Sequence, residues 1–406
     1  MHGQSGFELL IQILAGSLCI LLFAVQNKVN ASVSKDYFSA TPYSEKKLSQ
    51  AYTWSKKFCN WKVSLPLHSK GTNNGTIIGM ATGTAYTFDK LIPFCKSIRS
   101  TGFQGEVLIG VSKLGKVQES NRKEMFHKYN ITGIHLDGMK GSEWGQSICR
   151  YHAYLEFVKH YVHDNTPVLV SDVRDVFFQS NPFTSFPLGA QNFLNNSVEL
   201  LLFSEGLNDI SEKKATLRNT RGNLRWLRNI YGPKSRELES KPVLCSGTTI
   251  GSKEGLYHYT RTMLYEGYCC LKRNMNKYDG KRGHVCSGGA DQGFHNYVFW
   301  NKKLSNAVYM LNAAGPVYTI GIFRGKPVRS LNFARNRNGD LLSPPERGIQ
   351  FLVPVIHQWD RHEDLLEHVF QKFKLESEGV SRRRFNFHLL DGSFSGKSKH
   401  RGKRGL

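Results

Sequence analysis

Carboxylates are scarce in this chain: 32 Asp and Glu stand against 55 Lys and Arg, a formal charge of +23. That deficit excludes an acidic, self-solvating protein and points to acidic partners, whether nucleic acid, anionic membrane or phosphate-bearing small molecules. No Cys-x-x-Cys pair occurs among the eight cysteines, which excludes the usual spacing of a structural zinc site. No internal repeat is present, which excludes solenoids and propellers. No second long apolar run follows the one at the N-terminus, which excludes a multi-span membrane protein.

What is present is a chain of 406 residues, 12% aromatic, long enough for one large domain or two smaller ones. A region of about 300 residues buries roughly three quarters of its unfolded surface, so its core needs no disulfide framework. The run FELLIQILAGSLCILLFAV, Phe7 to Val25, would span about 28 Å as a helix, close to the hydrocarbon thickness. Two readings stand: an uncleaved type II signal anchor, or a signal peptide with Val29 and Ala31 as its cleavage pair. Lys28 follows the run and no Lys or Arg precedes it, so charge does not favour the type II orientation; the length of the run favours the anchor. Either reading sends the chain into the secretory pathway. Sequons at Asn30, Asn74, Asn130 and Asn195 agree with that address. In an oxidising lumen some of the seven cysteines outside the run should pair, and an odd number leaves at least one over.

The expected layout is an anchor or signal peptide over 1–30, a polar stem over 31–70, a folded domain over 71–375 and a basic, disordered tail over 376–406. Within the domain, TIIGMATG, EVLIGV, GIHLDG and PVLVSD read as short apolar strands. Between them, Leu91, Phe94, Cys95 and Ile98 recur at helical spacing, as do Ile148, Tyr151, Tyr154, Leu155 and Val158. Apolar strands alternating with helices predict an α/β fold with a mostly parallel, Rossmann-like sheet. In such a sheet the ligand crevice lies beyond the carboxyl ends of the strands.

Four stretches carry chemistry. VLVSDVRDVFFQSNPF drives a strand into Asp172 and Asp175, hard oxygen ligands suited to Mg²⁺ or Mn²⁺, although aspartates also mark plain turns. PVLCSGTTIGS ends a strand in Cys245, Ser246 and Gly247, where small residues allow close backbone approach to a ligand, or simply a turn. CSGGADQGFHNYVFW places Asp291 and Gln292 at the start of an aromatic helix with His295 and Asn296; Asp291 either caps the helix or faces a cleft. VPVIHQWDRHEDLLEHVF ends a strand at His357, a potential metal ligand, followed by Arg361, suited to a phosphate.

Taken in order, the strand-terminal aspartates, the RYHAYLEFV helix before them, CSGTTIG, ADQGFHNY and VIHQWDRH resemble the GT-A nucleotide-diphospho-sugar transferases, type II glycosyltransferases of the secretory pathway, over residues 75–370. The family's usual signature is Asp-x-Asp, whereas here two residues separate Asp172 from Asp175, which leaves open which carboxylate takes the metal. The resemblance implies a single GT-A catalytic domain and a nucleotide-diphospho-sugar donor. It implies Mn²⁺ or Mg²⁺ held by Asp172, Asp175 and His357, and a base and ribose pocket in the loop from Gly79 through Ala81 and Thr82 to Gly83. Arg150, Asp172, Ser246, Gly247 and Arg361 would meet the donor, and Asp291 and Gln292 the sugar or acceptor, with Asp291 as base if the reaction inverts. The implied setting is a Golgi or endoplasmic reticulum membrane, with the domain lumenal and a glycan or other hydroxyl acceptor. A non-catalytic lumenal glycan- or partner-binding protein on the same fold is the alternative. Nucleic acid is not expected as a partner, because the apolar N-terminus and the sequons argue against it.

Overall fold

In the computed structural model, the residues described are 40–60, 62–63, 74–83, 86–137, 145–185, 198–205, 215–274, 284–321, 334–344, 350–382 and 385. The apolar run at 7–25, the sequons at Asn30 and Asn195 and the tail from 386 lie outside them. No helix among the described residues is long and apolar enough to cross a membrane.

The α/β fold expected from the sequence is the one found. β2 (Thr76–Ala81), β3 (Glu106–Val111), β4 (Thr132–Asp137) and β5 (Val168–Asp172) pair in parallel in the order β4-β3-β2-β5. The connections run through α2 (Phe88–Ser100), α3 (Lys116–Lys128) and α4 (Arg150–Tyr161). Beyond β5 the sheet continues with β8 (Leu244–Gly251) and β7 (Leu200–Ser204), both antiparallel steps, and then β9 (Ala307–Met310), parallel to β7. A two-residue strand, β1 (Lys62–Val63), closes the other edge against β4.

The apolar runs of β2 and β5 are continuous because both faces are covered. Ile77 and Leu169 join the core under α2 and α3, whereas Ile78, Val168 and Val170 join the core under α4. Leu91, Phe94, Cys95 and Ile98 of α2 are fully buried, as their spacing predicts. Fully burying one such side chain contributes about 1.5–3 kcal/mol. α3 carries no periodic signal strong enough to read; it buries only Arg122, Met125 and Phe126.

Two sequence expectations need correction. The strand expected to end in Cys245, Ser246 and Gly247 instead begins there, since β8 runs from Leu244 to Gly251. The stretch from Gly79 was read as a loop, yet β2 extends to Ala81, with Gly79 paired to Ile109 and Ser171. Gly79 is required there for close packing: a Cβ would lie 2.2 Å from Val173 Cγ1. Ala81 is buried in the core. Of the five residues from Gly79 to Gly83, Met80 and Thr82 line the cavity described below.

After Asp172 the chain changes sheets. β6 (Val176–Phe178) belongs to a three-stranded sheet with β10 (Val317–Thr319) and β11 (Val355–His357), in the order β10-β11-β6. Within the stretch expected as a stem, Glu45–Cys59 forms α1, which buries Leu48, Ala51, Ser55 and Cys59 at helical spacing. It is tied to α6 (Lys253–Asn274) by Glu45 and Arg261, and to the start of α4 by a Cys59–Cys149 disulfide. Cys270 pairs with Cys286, and Cys95, Cys245 and Cys269 are free among the described residues. The first residues of the expected tail are also packed: Glu378 meets Lys96 and Lys128, and Val380 is buried.

The Cys59–Cys149 bridge closes a loop of 90 residues, for which chain entropy alone gives roughly 4–5 kcal/mol. Replacing both cysteines by serine is expected to cost about 2–5 kcal/mol. Urea unfolding of the double variant, compared with the parent, measures this; an unchanged midpoint would show that the bridge does not constrain the chain.

Candidate active site

The change of sheets assembles the site. Asp172 is the last residue of β5 in the large sheet, and Val176 is the first of β6 in the small one. The turn between them, Val173-Arg174-Asp175, buries Val173 against Gly79. This crossing accounts for the extra residue between the aspartates: each carboxylate sits at the end of a strand in a different sheet. β11 then runs antiparallel to β6 and pairs His357 with Val176, which brings the imidazole beside Asp175. Gln358 completes the junction in a left-handed conformation, φ 65°, and its N–H donates to the Asp175 carbonyl at 2.6 Å. An anchor residue follows: Trp359 is fully buried and packs edge-on against Phe177, and Arg361 at the end of the same turn lines the cavity.

Asp172, Asp175 and His357 converge, with one ligand atom from each lying within 4.8 Å of the others. His357 Nε2 is 3.5 Å from Asp172 Oδ2 and 3.8 Å from Asp175 Oδ1, and this buried nitrogen has no hydrogen-bond partner among the described residues. Its other nitrogen, Nδ1, faces Cys245 Sγ at 3.3 Å and Thr319 Oγ1 at 3.5 Å. An imidazole held through Nδ1 with Nε2 open to two carboxylates is the donor set of a divalent-cation site. Gly247 makes room for it, because a Cβ there would lie 2.4 Å from the ring and 2.7 Å from Asp172 Oδ2.

The electrostatics agree. Burial opposes charge on Asp175, but Arg174, His357 and Arg361 outweigh it and hold the carboxyl down at about 2. Burial also opposes charge on His357, yet its pKa is raised well above the ordinary value by Cys245 beside Nδ1 and by Asp172 and Asp175 beside Nε2. The two carboxylates would exert the same pull on a metal cation. Behind them, burial pushes the Asp360 carboxyl up to about 7, with the charge of Asp175 adding to the rise.

The triad opens into a cavity of about 630 Å³, within the range of roughly 300–1,000 Å³ for small-molecule sites. Thr82 and Tyr86, beyond the end of β2, and Arg361 line it on the metal side. Arg150, at the start of α4, lies at the centre. It donates to Asp172 Oδ1 at 3.3 Å, to the Ser246 carbonyl at 3.4 Å and to Asp291 Oδ2. Ser246 Oγ also donates to Asp291 Oδ2, at 2.8 Å. Asp291 and Gln292 stand in the first turn of α7 (Ala290–Trp300), and both reach the cavity. The Gln292 amide is already engaged, accepting from the Ser246 N–H at 2.7 Å and donating to Glu205 at 2.9 Å.

Of the residues expected from the sequence, Thr82, Arg150, Asp172, Asp175, Ser246, Gly247, Asp291, Gln292, His357 and Arg361 are brought together here. Gly79, Ala81 and Gly83 are not among the lining residues; the Gly83 N–H donates to Ser112 Oγ instead. His295 and Asn296 point into the core. His295 Nδ1 meets the Tyr259 hydroxyl at 2.7 Å, and Asn296 bonds both backbone groups of Leu244 and so fastens α7 to β8. Sequence reading missed Glu205, Asn223 and Trp226. Glu205 carried a readable signal, because it follows the apolar strand β7 just as Asp172 ends β5.

No family model matches the sequence, and no curated protein matches it. Among solved structures, an active-site mutant of LgtC is similar at 14% identity and TM-score 0.43, over 75% of this chain and 96% of that one. The galactosyltransferase LgtC in complex with donor and acceptor sugar analogs aligns at TM-score 0.41, again at 14% identity over 75% and 96% of the two chains. A mannosyltransferase from Pyrobaculum calidifontis in complex with GDP-Man and Mn²⁺ aligns at 11% identity and TM-score 0.32, over 72% of this chain and 68% of that one. Identities this low and TM-scores below 0.5 carry no residue role or substrate across to this chain.

Proposed function

We propose that the chain is a metal-dependent glycosyltransferase that moves a sugar from a nucleotide-diphosphate donor to a hydroxyl acceptor. The observation that carries this reading is the buried Nε2 of His357, unpartnered among the described residues and set between Asp172, at the carboxyl end of β5, and Asp175, just before β6. Asp172, Asp175 and His357 would hold the ion, and an imidazole in the set favours Mn²⁺ over Mg²⁺. When bound, such an ion supplies Lewis-acid stabilisation of the charge on a departing diphosphate.

The chain's own residues do the rest. Arg150 and Arg361 flank the triad and present guanidinium donors where phosphate oxygens would lie. Asp291 and Ser246 hold Arg150 in place, so its planar fork is set before a donor arrives. Thr82 and Tyr86 form the wall available to the nucleoside. Asp291 is the candidate base for the acceptor hydroxyl if the reaction inverts. A secretory address is part of the same reading: two disulfides need an oxidising compartment, and the sequon residues Asn74 and Asn130 are both exposed.

Thermal unfolding with uridine and guanosine diphosphates, with and without Mn²⁺, tests the donor half. At a hundredfold excess over Kd, binding stabilises by about 2.7 kcal/mol, so the melting temperature should rise by several degrees and return to baseline with EDTA. If neither diphosphate shifts it, a nucleotide-sugar donor is ruled out for these two nucleosides. A nucleotide shift without turnover of any donor sugar would instead favour a non-catalytic lumenal binding protein.

A further inference from the structure

The cavity is wider than a metal–diphosphate site requires. Asp172 ends β5 and Glu205 follows β7, with β8 between them. Two strand spacings put these ends roughly 10 Å apart. The chemistry changes across that width. The β5 side holds the triad and the guanidinium groups, whereas the β7 side is lined by Glu205, Thr220, Asn223 and Trp226 and by Gly222 and Gly289. No Lys or Arg occurs among the described lining residues on the β7 side.

Three features there point to one kind of ligand. Trp226, on α5 (Arg221–Tyr231), brings an indole to the cavity wall. It lies close against the start of α7, where a Cβ on Gly289 would come within 2.2 Å of the ring, and a Cβ on Gly222 would be 3.6 Å away. Glycine at 289 is what lets the ring lie this close to α7, whereas a methyl at Gly222 would make only ordinary contact with it. Asn223 is 8% exposed, and its buried Oδ1 has no hydrogen-bond partner among the described residues. Glu205 is equally buried, with one oxygen holding Gln292 and no hydrogen bond to the other among the described residues. The Arg225 guanidinium approaches to 6.0 Å from the Trp226 ring centroid but is not among the lining residues. An aromatic surface beside two open acceptors, with no cation lining the wall, is poorly suited to phosphate. It suits a ring with apolar C–H faces and hydroxyl donors at its rim.

We propose that Trp226, Asn223 and Glu205 form a subsite for a neutral sugar ring, and that the acceptor is therefore a saccharide rather than a protein side chain or a lipid. The identification of this ring as the acceptor rests on the glycosyltransferase reading; the sugar subsite itself does not. Trp226 is the stacking platform, and Asn223 and Glu205 fix which hydroxyls the ring presents.

Saturation-transfer NMR on the full chain, without nucleotide, tests the subsite with methyl β-galactoside, methyl β-glucoside, methyl α-mannoside and lactose. At least one should receive saturation at its ring protons. Trp226→Ala should weaken that binding at least tenfold, Trp226→Phe should restore most of it, and Asn223→Ala should weaken it without removing an aromatic ring. The melting-temperature shift by nucleoside diphosphate and Mn²⁺ should be the same in all three variants. No saccharide signal, or a signal indifferent to both Trp226→Ala and Asn223→Ala, overturns the proposal even where the nucleotide shift is present. Loss of the nucleotide shift in folded Trp226→Ala also overturns it, because the platform would then belong to the donor. A saccharide signal that depends on Trp226, in a protein that no nucleotide shifts, upholds the subsite and defeats the donor reading alone.

Discussion

Asp175→Asn is expected to lower kcat/KM for sugar transfer by a factor on the order of 10³, about 4 kcal/mol of transition-state stabilisation. It should also abolish the Mn²⁺ dependence of nucleotide binding. Asparagine is the informative substitution because it keeps the shape of the side chain and removes only its charge. Alanine would leave Arg174 and Arg361 without their shared carboxylate, and breaking a buried pair costs about 3–5 kcal/mol. With asparagine the fold has a reserve. Arg174 Nε lies 3.6 Å from Asp360, whose carboxyl is held up at about 7 by burial and by the charge of Asp175. Removing that charge favours ionisation of Asp360, which then balances Arg174. The variant should therefore melt within a few degrees of the parent while inactive. Parental activity, or parental Mn²⁺ dependence, would remove Asp175 from the site.

Gly247→Ala is the second large effect, and it comes from space rather than charge. Gly247 lies within β8 and is not at a positive φ, so its backbone accepts alanine. The three atoms nearest the added methyl are all on the metal side: His357 Cε1 at 2.4 Å, Asp172 Oδ2 at 2.7 Å and His357 Nε2 at 2.7 Å. Neither partner can move cheaply, because His357 is fixed through Nδ1 and through its place in β11, and Asp172 is tied to Arg150. Mn²⁺ affinity, read as the concentration that restores the nucleotide-dependent melting shift, should weaken on the order of 10²-fold, the upper range for disturbing a ligand's support. A variant with unchanged Mn²⁺ affinity would show that the triad does not close around an ion at this position.

Much of the architecture was legible because it is written in short-range patterns. β2, β3 and β5 announced themselves as continuous apolar runs, and the buried positions of α2 and α4 fell at helical spacing. α1 was read as stem because its buried set is small and its flanks are rich in lysine. The reading of Gly79 as the start of a loop failed because a glycine in a strand gives the same local signal as a glycine in a turn. What distinguishes them is Val173, which packs where its side chain would be.

The sequence by itself determined that a carboxylate ends an apolar strand, that His357 ends another and Asp291 begins a helix, and that the sheet is largely parallel, so the ends of its parallel strands gather at one edge. These are consequences of periodicity and chain order, which local composition encodes. Only the tertiary structure decided that both aspartates face the same imidazole and that two residues separate them because the chain passes from one sheet to another. It alone showed that Gly247 keeps the site open, and that Glu205, Asn223 and Trp226 form the far wall of the same cavity. His357 meets Asp175 through the register of two strands 177 residues or more apart in sequence, Val355–His357 against Val176–Phe178. Such a register is set by long-range pairing within the small sheet, and no pattern within either strand specifies it.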